Sequence, residues 1–254
     1  MGKNWQAICH GTEKVNLRMI KIYIFLHRIL RHFFEFLPEN FVFPALLGPL
    51  RGMRWVAHSA GMGCMAGIYE KKPRRVFRDL IKKNDIVFDV GAHVGFYTLL
   101  ASKRVGKNGR VFSFEPLPRN IFFLKKHISL NNLRNVEIME FALSDKEDHV
   151  FFDTSIDSFQ GRIAVHGNIK VYSTTLDRLV NERDIPPPNV LKIDVEGEEY
   201  NLLRGGEKIL ARYKPKILLS VHSHELRDKC SLFLKNLGYD IEFVTPVEFV
   251  AKPL

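Results

Sequence analysis

The sequence predicts an α/β protein: a Rossmann-like, doubly wound and mostly parallel sheet, preceded by a helical extension. Three observations carry this reading. Short continuous apolar runs, Ile86-Val87-Phe88, Val111-Phe112, Val190-Leu191 and Ile217-Leu218-Leu219, read as strands buried on both faces. Stretches with helical spacing lie between them, an alternation that gives a parallel sheet covered by helices on both sides. Three of the runs end in an acid, at Asp89, Glu115 and Asp194, where such a sheet opens its ligand crevice.

Taken in order, residues 1–14 are polar, lack periodicity and read as loosely packed. Residues 16–37 suit a long helix with Arg18, Lys21, Arg28 and Arg31 on one half and Ile22, Leu26, Ile29, Phe33 and Leu37 on the other. Charges interrupt the run too often for it to cross a bilayer, and no small-residue cleavage site follows it. Two readings stand: a cover helix packed on its own domain, or a peripheral membrane contact. Residues 41–65 are a connector broken by glycine and proline. Gly67-Ile68-Tyr69-Glu70 follows, then a basic helix from about Pro73 to Lys83 with Val76, Leu80 and Ile81 facing inward. The expected division is therefore 1–66, extension and connector, and 67–254, the main domain.

The first buried strand runs into Asp89-Val90-Gly91-Ala92-His93-Val94-Gly95, a tight turn that opens a helix near Phe96. Glycines there let the backbone turn sharply and approach a ligand closely. A dinucleotide fingerprint would carry a further glycine in the middle of the loop to clear space for a pyrophosphate. That glycine is absent, and the Asp89 carboxylate would repel phosphate while suiting a cation. An acid at the end of the second strand, here Glu115 before Pro116, reaches a ribose diol. A ribose, a cation and no phosphate describe S-adenosylmethionine.

Helices are expected at about 96–104, 119–130, 198–211 and 225–237, and further strands at 136–142, 149–154, 169–173, 239–244 and 247–251. The strand at 136–142 leads to Ser144-Asp145 on the ligand side. Residues 161–167 form a glycine-rich loop, either a lid or an insertion. The final two strands close the sheet as an antiparallel pair, which separates a methyltransferase-type sheet from a plain dinucleotide fold.

The three cysteines, Cys9, Cys64 and Cys230, are far apart and include no Cys-x-x-Cys pair. Thiolate zinc sites and disulfide scaffolds are therefore not expected, and a reducing, cytoplasmic setting is the default. The net charge is +10, and it is unevenly placed: residues 1–84 hold 15 Lys and Arg against 5 Asp and Glu, and residues 85–254 hold 23 of each. The excess argues for an attachment or substrate-facing role of the N-terminal part rather than a nucleic-acid groove.

The motifs Asp89-Val90-Gly91-Ala92-His93-Val94-Gly95, Glu115-Pro116, Ala142-Leu143-Ser144-Asp145, Thr175-Leu176-Asp177 and Leu191-Lys192-Ile193-Asp194-Val195-Glu196-Gly197 occur in that order. Together they resemble the FkbM family of class I S-adenosylmethionine-dependent methyltransferases, over residues 67 to 244. The resemblance implies a seven-stranded methyltransferase sheet and methyl transfer to a hydroxyl of a sugar, glycan or small molecule. Glu70 lies in the stretch where it starts and joins the candidate cofactor set. It also implies that Asp89, Gly91, Ala92, His93 and Gly95 line the methionine end, and that Glu115 and Pro116 lie at the ribose. Ser144 and Asp145 are then near the adenine, and Asp194 near the sulfonium. The family often has an acid near the end of the strand at Ser220-Val221-His222; here Ser220 and His222 stand instead.

An alcohol must lose a proton to accept the methyl group, which wants a base within hydrogen-bond reach. Asp194, Glu196 and His222 are the catalytic candidates. Asp194 and Glu196 alternate along a strand and would share a face. Their oxygens also suit Mg²⁺, but the sequence supplies no full ligand set, so no metal site is assigned. The rival readings are an RNA or protein methyltransferase that grips a polymer with its basic N-terminal region, and an inactive cofactor-binding scaffold.

Overall fold

The computed structural model describes residues 36–38, 40–45, 47–60, 70–153, 162–163, 167, 169–182 and 185–254. The helix expected at 16–37, apart from residues 36 and 37, most of the loop at 161–167 and residues 67–69 lie outside them. In chain order the elements are β1 (Val42–Pro44), β2 (Arg54–Val56), α1 (Lys71–Leu80), β3 (Ile86–Val90), α2 (Phe96–Val105), β4 (Arg110–Phe114) and α3 (Pro118–Leu130). Next come β5 (Val136–Met139), β6 (Ala142–Leu143), β7 (Asp148–Asp153), β8 (Arg162–Ile163), β9 (Ile169–Thr174), α4 (Leu176–Glu182) and β10 (Val190–Ile193). The remainder is α5 (Glu199–Gly205), α6 (Glu207–Tyr213), β11 (Lys216–Ser220), α7 (His224–Asn236), β12 (Tyr239–Thr245) and β13 (Glu248–Pro253). Among these described elements no helix is long and apolar enough to cross a membrane.

Seven strands pair in the order β12-β13-β11-β10-β3-β4-β5. The five from β11 to β5 run parallel, and β13 is antiparallel to both its neighbours. The order reverses between β3 and β10, so their tips flank the crevice of a doubly wound sheet. Alternation along each strand sends side chains to two cores. Phe88, Val90, Leu191 and Ile193 pack on one face with Phe112, Phe114 and Leu202. Val87, Val190 and Val111 pack on the other with Phe77, Tyr97 and Leu99. Each such buried side chain contributes about 2 kcal/mol. On the second face the apolar rows are broken by Asp89, Ser113 and Lys192, all buried.

Several expected elements differ in detail. The strand expected at 136–142 splits: β5 stays in the main sheet, while β6 joins a second sheet of order β6-β9-β7-β8. The helix expected at 198–211 breaks at Gly205-Gly206. A Cβ on Gly205 would come within 2.0 Å of the Ser144 backbone oxygen, and one on Gly206 would strike Leu176. Close packing, rather than helix propensity, sets that break. On α1 the buried residues are Pro73, Phe77 and Leu80, with Ile81 buried just beyond it, as expected for Leu80 and Ile81, whereas Val76 is only half-buried.

The connector is also more ordered than its glycines and prolines suggest. Residues Val42–Leu254 form one compact unit, which therefore begins ahead of the boundary expected at 67. Met1–Phe41 are a separate unit, described only at residues 36–38, 40 and 41. β1 and β2 pair antiparallel, and Trp55 stacks on His127 with ring centroids 4.0 Å apart. His127 Nε2 accepts the Val56 N–H (3.1 Å), and Nδ1–H donates to the Val94 oxygen (2.7 Å). One neutral imidazole thereby ties the hairpin to the glycine loop.

Burial lowers the His127 pKa from 6.5 to about 4. Its folded pKa lies below the unfolded one, so the unfolded state gains a proton first as pH falls. Stability is full above pH 6.5 and drains between 6.5 and 4, with about 2 kcal/mol lost between pH 7 and pH 5. Urea unfolding at the two pH values should show this loss, and His127→Gln should remove it.

Candidate active site

The glycine loop is fixed by its own backbone. Gly91 and Ala92 both donate N–H bonds to the Phe114 oxygen (3.0 Å each), and Gly95 donates to the Ala92 oxygen (2.9 Å). Gly91 has φ +77°, and a Cβ there would lie 1.8 Å from the Asp194 oxygen. The backbones at the tips of β3 and β10 thus lie too close for any side chain at position 91. Gly95, at φ +99°, precedes α2 in the left-handed region.

Glu115 points back at this loop. Its Oε2 accepts the His93 N–H (2.8 Å), and its Oε1 accepts Leu117 N–H (2.9 Å) and Asn120 Nδ2 (3.3 Å). Burial pushes its carboxyl up to about 7, against the pull of those three donors. Pro116 directs the chain into α3, where it is half-buried.

Asp89 is fully buried. Its Oδ2 accepts the Thr98 hydroxyl (2.7 Å), and its Oδ1 lies 3.8 Å from the Lys192 ammonium. Burial raises its pKa, while Lys192 and Thr98 oppose the shift. Lys192 sits directly across from Asp89 in the β3–β10 register. Its Nζ is 3.3 Å from Asp194 Oδ2 and lies over the Tyr97 ring, 4.8 Å from the centroid. The Tyr97 hydroxyl in turn donates to Glu70 Oε2 at 2.5 Å. Burial works against the Lys192 charge, yet Asp194, Asp89 and Glu70 raise its pKa, so the ammonium persists.

On the other side of Asp194 stands His222, just past the end of β11. His222 Nε2 is 3.6 Å from Asp194 Oδ1 and 3.2 Å from Glu196 Oε2. Its Nδ1 is 2.6 Å from Oε1 of the fully buried Glu199. Burial disfavours the imidazolium, but the Glu199 hydrogen bond and the Glu196, Glu199 and Asp194 charges raise the pKa. Glu196 is not on a regular strand: β10 ends at Ile193, and Glu196 takes φ 51° in the turn before α5. The expectation that it shares a strand face with Asp194 fails for that reason, although both side chains converge on His222.

The structure thus joins Glu70, Asp89 and Asp194 through Lys192 and Tyr97. It joins Asp194, Glu196 and His222 directly, and Gly91, His93 and Glu115 through the loop. Ser144 and Asp145 lie outside those contacts, against α5: Ser144 Oγ is 3.5 Å from Glu198 Oε2, and Asp145 pairs with Arg204 at 3.5 Å. The sequence reading missed Lys192, Glu199 and Glu248. Glu248, buried at the start of β13, accepts from Thr245 (2.9 Å) and Ser220 (3.4 Å).

A parallel sheet with one antiparallel strand inserted near its edge, and acids at the tips of its central strands, defines the class I methyltransferase architecture. The chain belongs to the FkbM methyltransferases: residues 89–241 match the family model described as the Methyltransferase FkbM domain. It is similar to the Hexuronic acid methyltransferase AglP of Haloferax volcanii, at 28% identity over 133 residues, 52% of this chain and 54% of that protein. The match spans about half the length of that relative. A crystal structure of Methyltransferase FkbM from Methylobacillus flagellatus KT has a like fold, with 19% identity and a TM-score of 0.50. That likeness covers 67% of this chain and 44% of the other. A SAM-dependent O-methyltransferase from Thermotoga maritima gives 15% identity and a TM-score of 0.48 over 74% of this chain and 66% of its own.

Proposed function

We propose that the protein transfers the methyl group of S-adenosylmethionine to a hydroxyl oxygen of a sugar, glycan or small molecule. The observation that carries this is the convergence of His222 with Asp194 and Glu196, beside the strand tips expected to hold the cofactor. On this reading Glu115 takes the ribose diol, and Asp89, Asp194 and Glu70 face the cationic methionine end. In-line displacement at sulfur needs mainly positioning; proton removal from the acceptor falls to the Asp194, Glu196 and His222 group. The named activity of the AglP relative makes uronic-acid-containing glycans the first acceptors to try.

The experiment is transfer of labelled methyl from S-adenosylmethionine to a panel of uronic acids, neutral sugars, lipid-linked glycans, small alcohols and RNA. Label should enter a sugar as an alkali-stable ether. Label released by mild alkali would mean a methyl ester and would overturn the hydroxyl assignment; label in RNA alone would favour the rival.

Cofactor binding should also depend on pH. Ribose hydroxyls donate to the ionised Glu115 carboxylate, whose pKa without ligand is about 7. S-adenosylhomocysteine affinity is therefore expected to rise about tenfold from pH 6 to pH 8. Calorimetry on Glu115→Gln should give weaker binding with that dependence gone.

A further inference from the structure

We infer that Asp194, Glu196 and His222 form a divalent-cation site, and that the cation is what grips the methyl acceptor. One oxygen from each carboxylate and one imidazole nitrogen lie within 4.8 Å of one another. The inference rests on the methyl-transfer reading only for the identity of what the cation holds.

Two features mark the group as more than acids gathered at a sheet edge. The first is the back of the imidazole. Nδ1 is engaged by Glu199, which leaves Nε2 directed at Asp194 and Glu196. Metal-binding histidines are oriented in this way, by a carboxylate on the nitrogen that does not ligate. Glu199 is fully buried, and its second oxygen, Oε2, has no hydrogen-bond partner among the described residues. The second feature is charge. Three carboxylates surround this imidazole, while the nearby ammonium of Lys192 is already shared between Asp89 and Asp194. A uronic acid or other anionic sugar entering such a site meets repulsion unless a cation stands between.

Two carboxylates and one imidazole suit Mn²⁺ better than the all-oxygen preference of Mg²⁺ or Ca²⁺. Three protein ligands leave about three positions of an octahedron open. Two adjacent oxygens of one acceptor, a vicinal diol or a hydroxyl beside a carboxylate, fill two of them. The bound hydroxyl becomes more acidic, and its proton passes to the second oxygen of the Glu196 carboxylate as the methyl group leaves the sulfonium, which becomes S-adenosylhomocysteine. The acceptor class that follows is a chelating sugar, not a lone alcohol.

The test is Mn²⁺ titration of the metal-stripped full chain, followed by electron paramagnetic resonance. One site is expected, weakened at least tenfold in Glu196→Gln and His222→Ala, and about 10- to 100-fold in Glu199→Gln. S-adenosylhomocysteine affinity, measured in parallel, should be unchanged and so certify the fold of each variant. No Mn²⁺ site at millimolar metal, or variants that bind as the parent does, would overturn the proposal. Full methyl transfer in the presence of a chelator would do so too. If Mn²⁺ binds as described but no acceptor is ever methylated, the methyl-transfer reading fails and the cation site stands.

Discussion

Gly91→Ala is expected to destabilise the protein by about 3 kcal/mol and to abolish S-adenosylhomocysteine binding. Two costs add. At φ +77° an alanine is held in the left-handed region, and its Cβ would fall 1.8 Å from the Asp194 oxygen. That oxygen belongs to backbone, so relief requires the tips of β3 and β10 to part. Parting them separates Lys192 from Asp89, breaks the Asp194 N–H bond to the Val90 oxygen (3.0 Å) and moves Asp89 and Asp194 relative to each other. Gly197→Ala is the control. Its φ is +109°, yet a Cβ there meets nothing within 4 Å, so only conformational strain of about 1 kcal/mol is expected. Chemical denaturation and calorimetry on the two variants separate clash from strain. Equal losses in both would show that the close approach of the strand tips does not matter.

His222→Gln is expected to lower kcat by about 10²- to 10⁴-fold while leaving S-adenosylhomocysteine affinity nearly intact. The side chain touches Asp194, Glu196 and Glu199. The loop and Glu115 are held by separate hydrogen bonds. Steady-state kinetics with a methylated sugar as product would check this. A variant that keeps its turnover would show that the imidazole neither takes the proton nor holds a cation on which the reaction depends.

Much of this was legible in the sequence because a doubly wound sheet writes itself locally. Each central strand is a short apolar run, and Asp89, Glu115 and Asp194 mark where the runs end. What stayed hidden depended on contacts between distant segments. Lys192 left a trace, a lone charge inside the apolar run Val190-Leu191-Lys192-Ile193, but its meaning needed the register that sets it opposite Asp89. Glu199 looked like any acid in the first turn of a helix; only the fold brings it under His222, 23 residues away. His127 gave no signal, since one partner, Val56, comes from a hairpin that a glycine- and proline-rich stretch does not announce, and the other, Val94, from the glycine loop.

The position of β13 bears on how the molecule assembles. It follows β12 in sequence yet lies inside it, paired with β11 on one side and β12 on the other. A hairpin closes in microseconds, whereas pairings between distant segments are slow. Only two residues, Pro246 and Val247, separate β12 from β13. The economical route is for the two to zip together first and then dock as a ready-made ribbon against the exposed edge of β11. The late step of folding is then a docking event that also buries Glu248 beside Ser220, so the strand tip next to His222 acquires its final wall last.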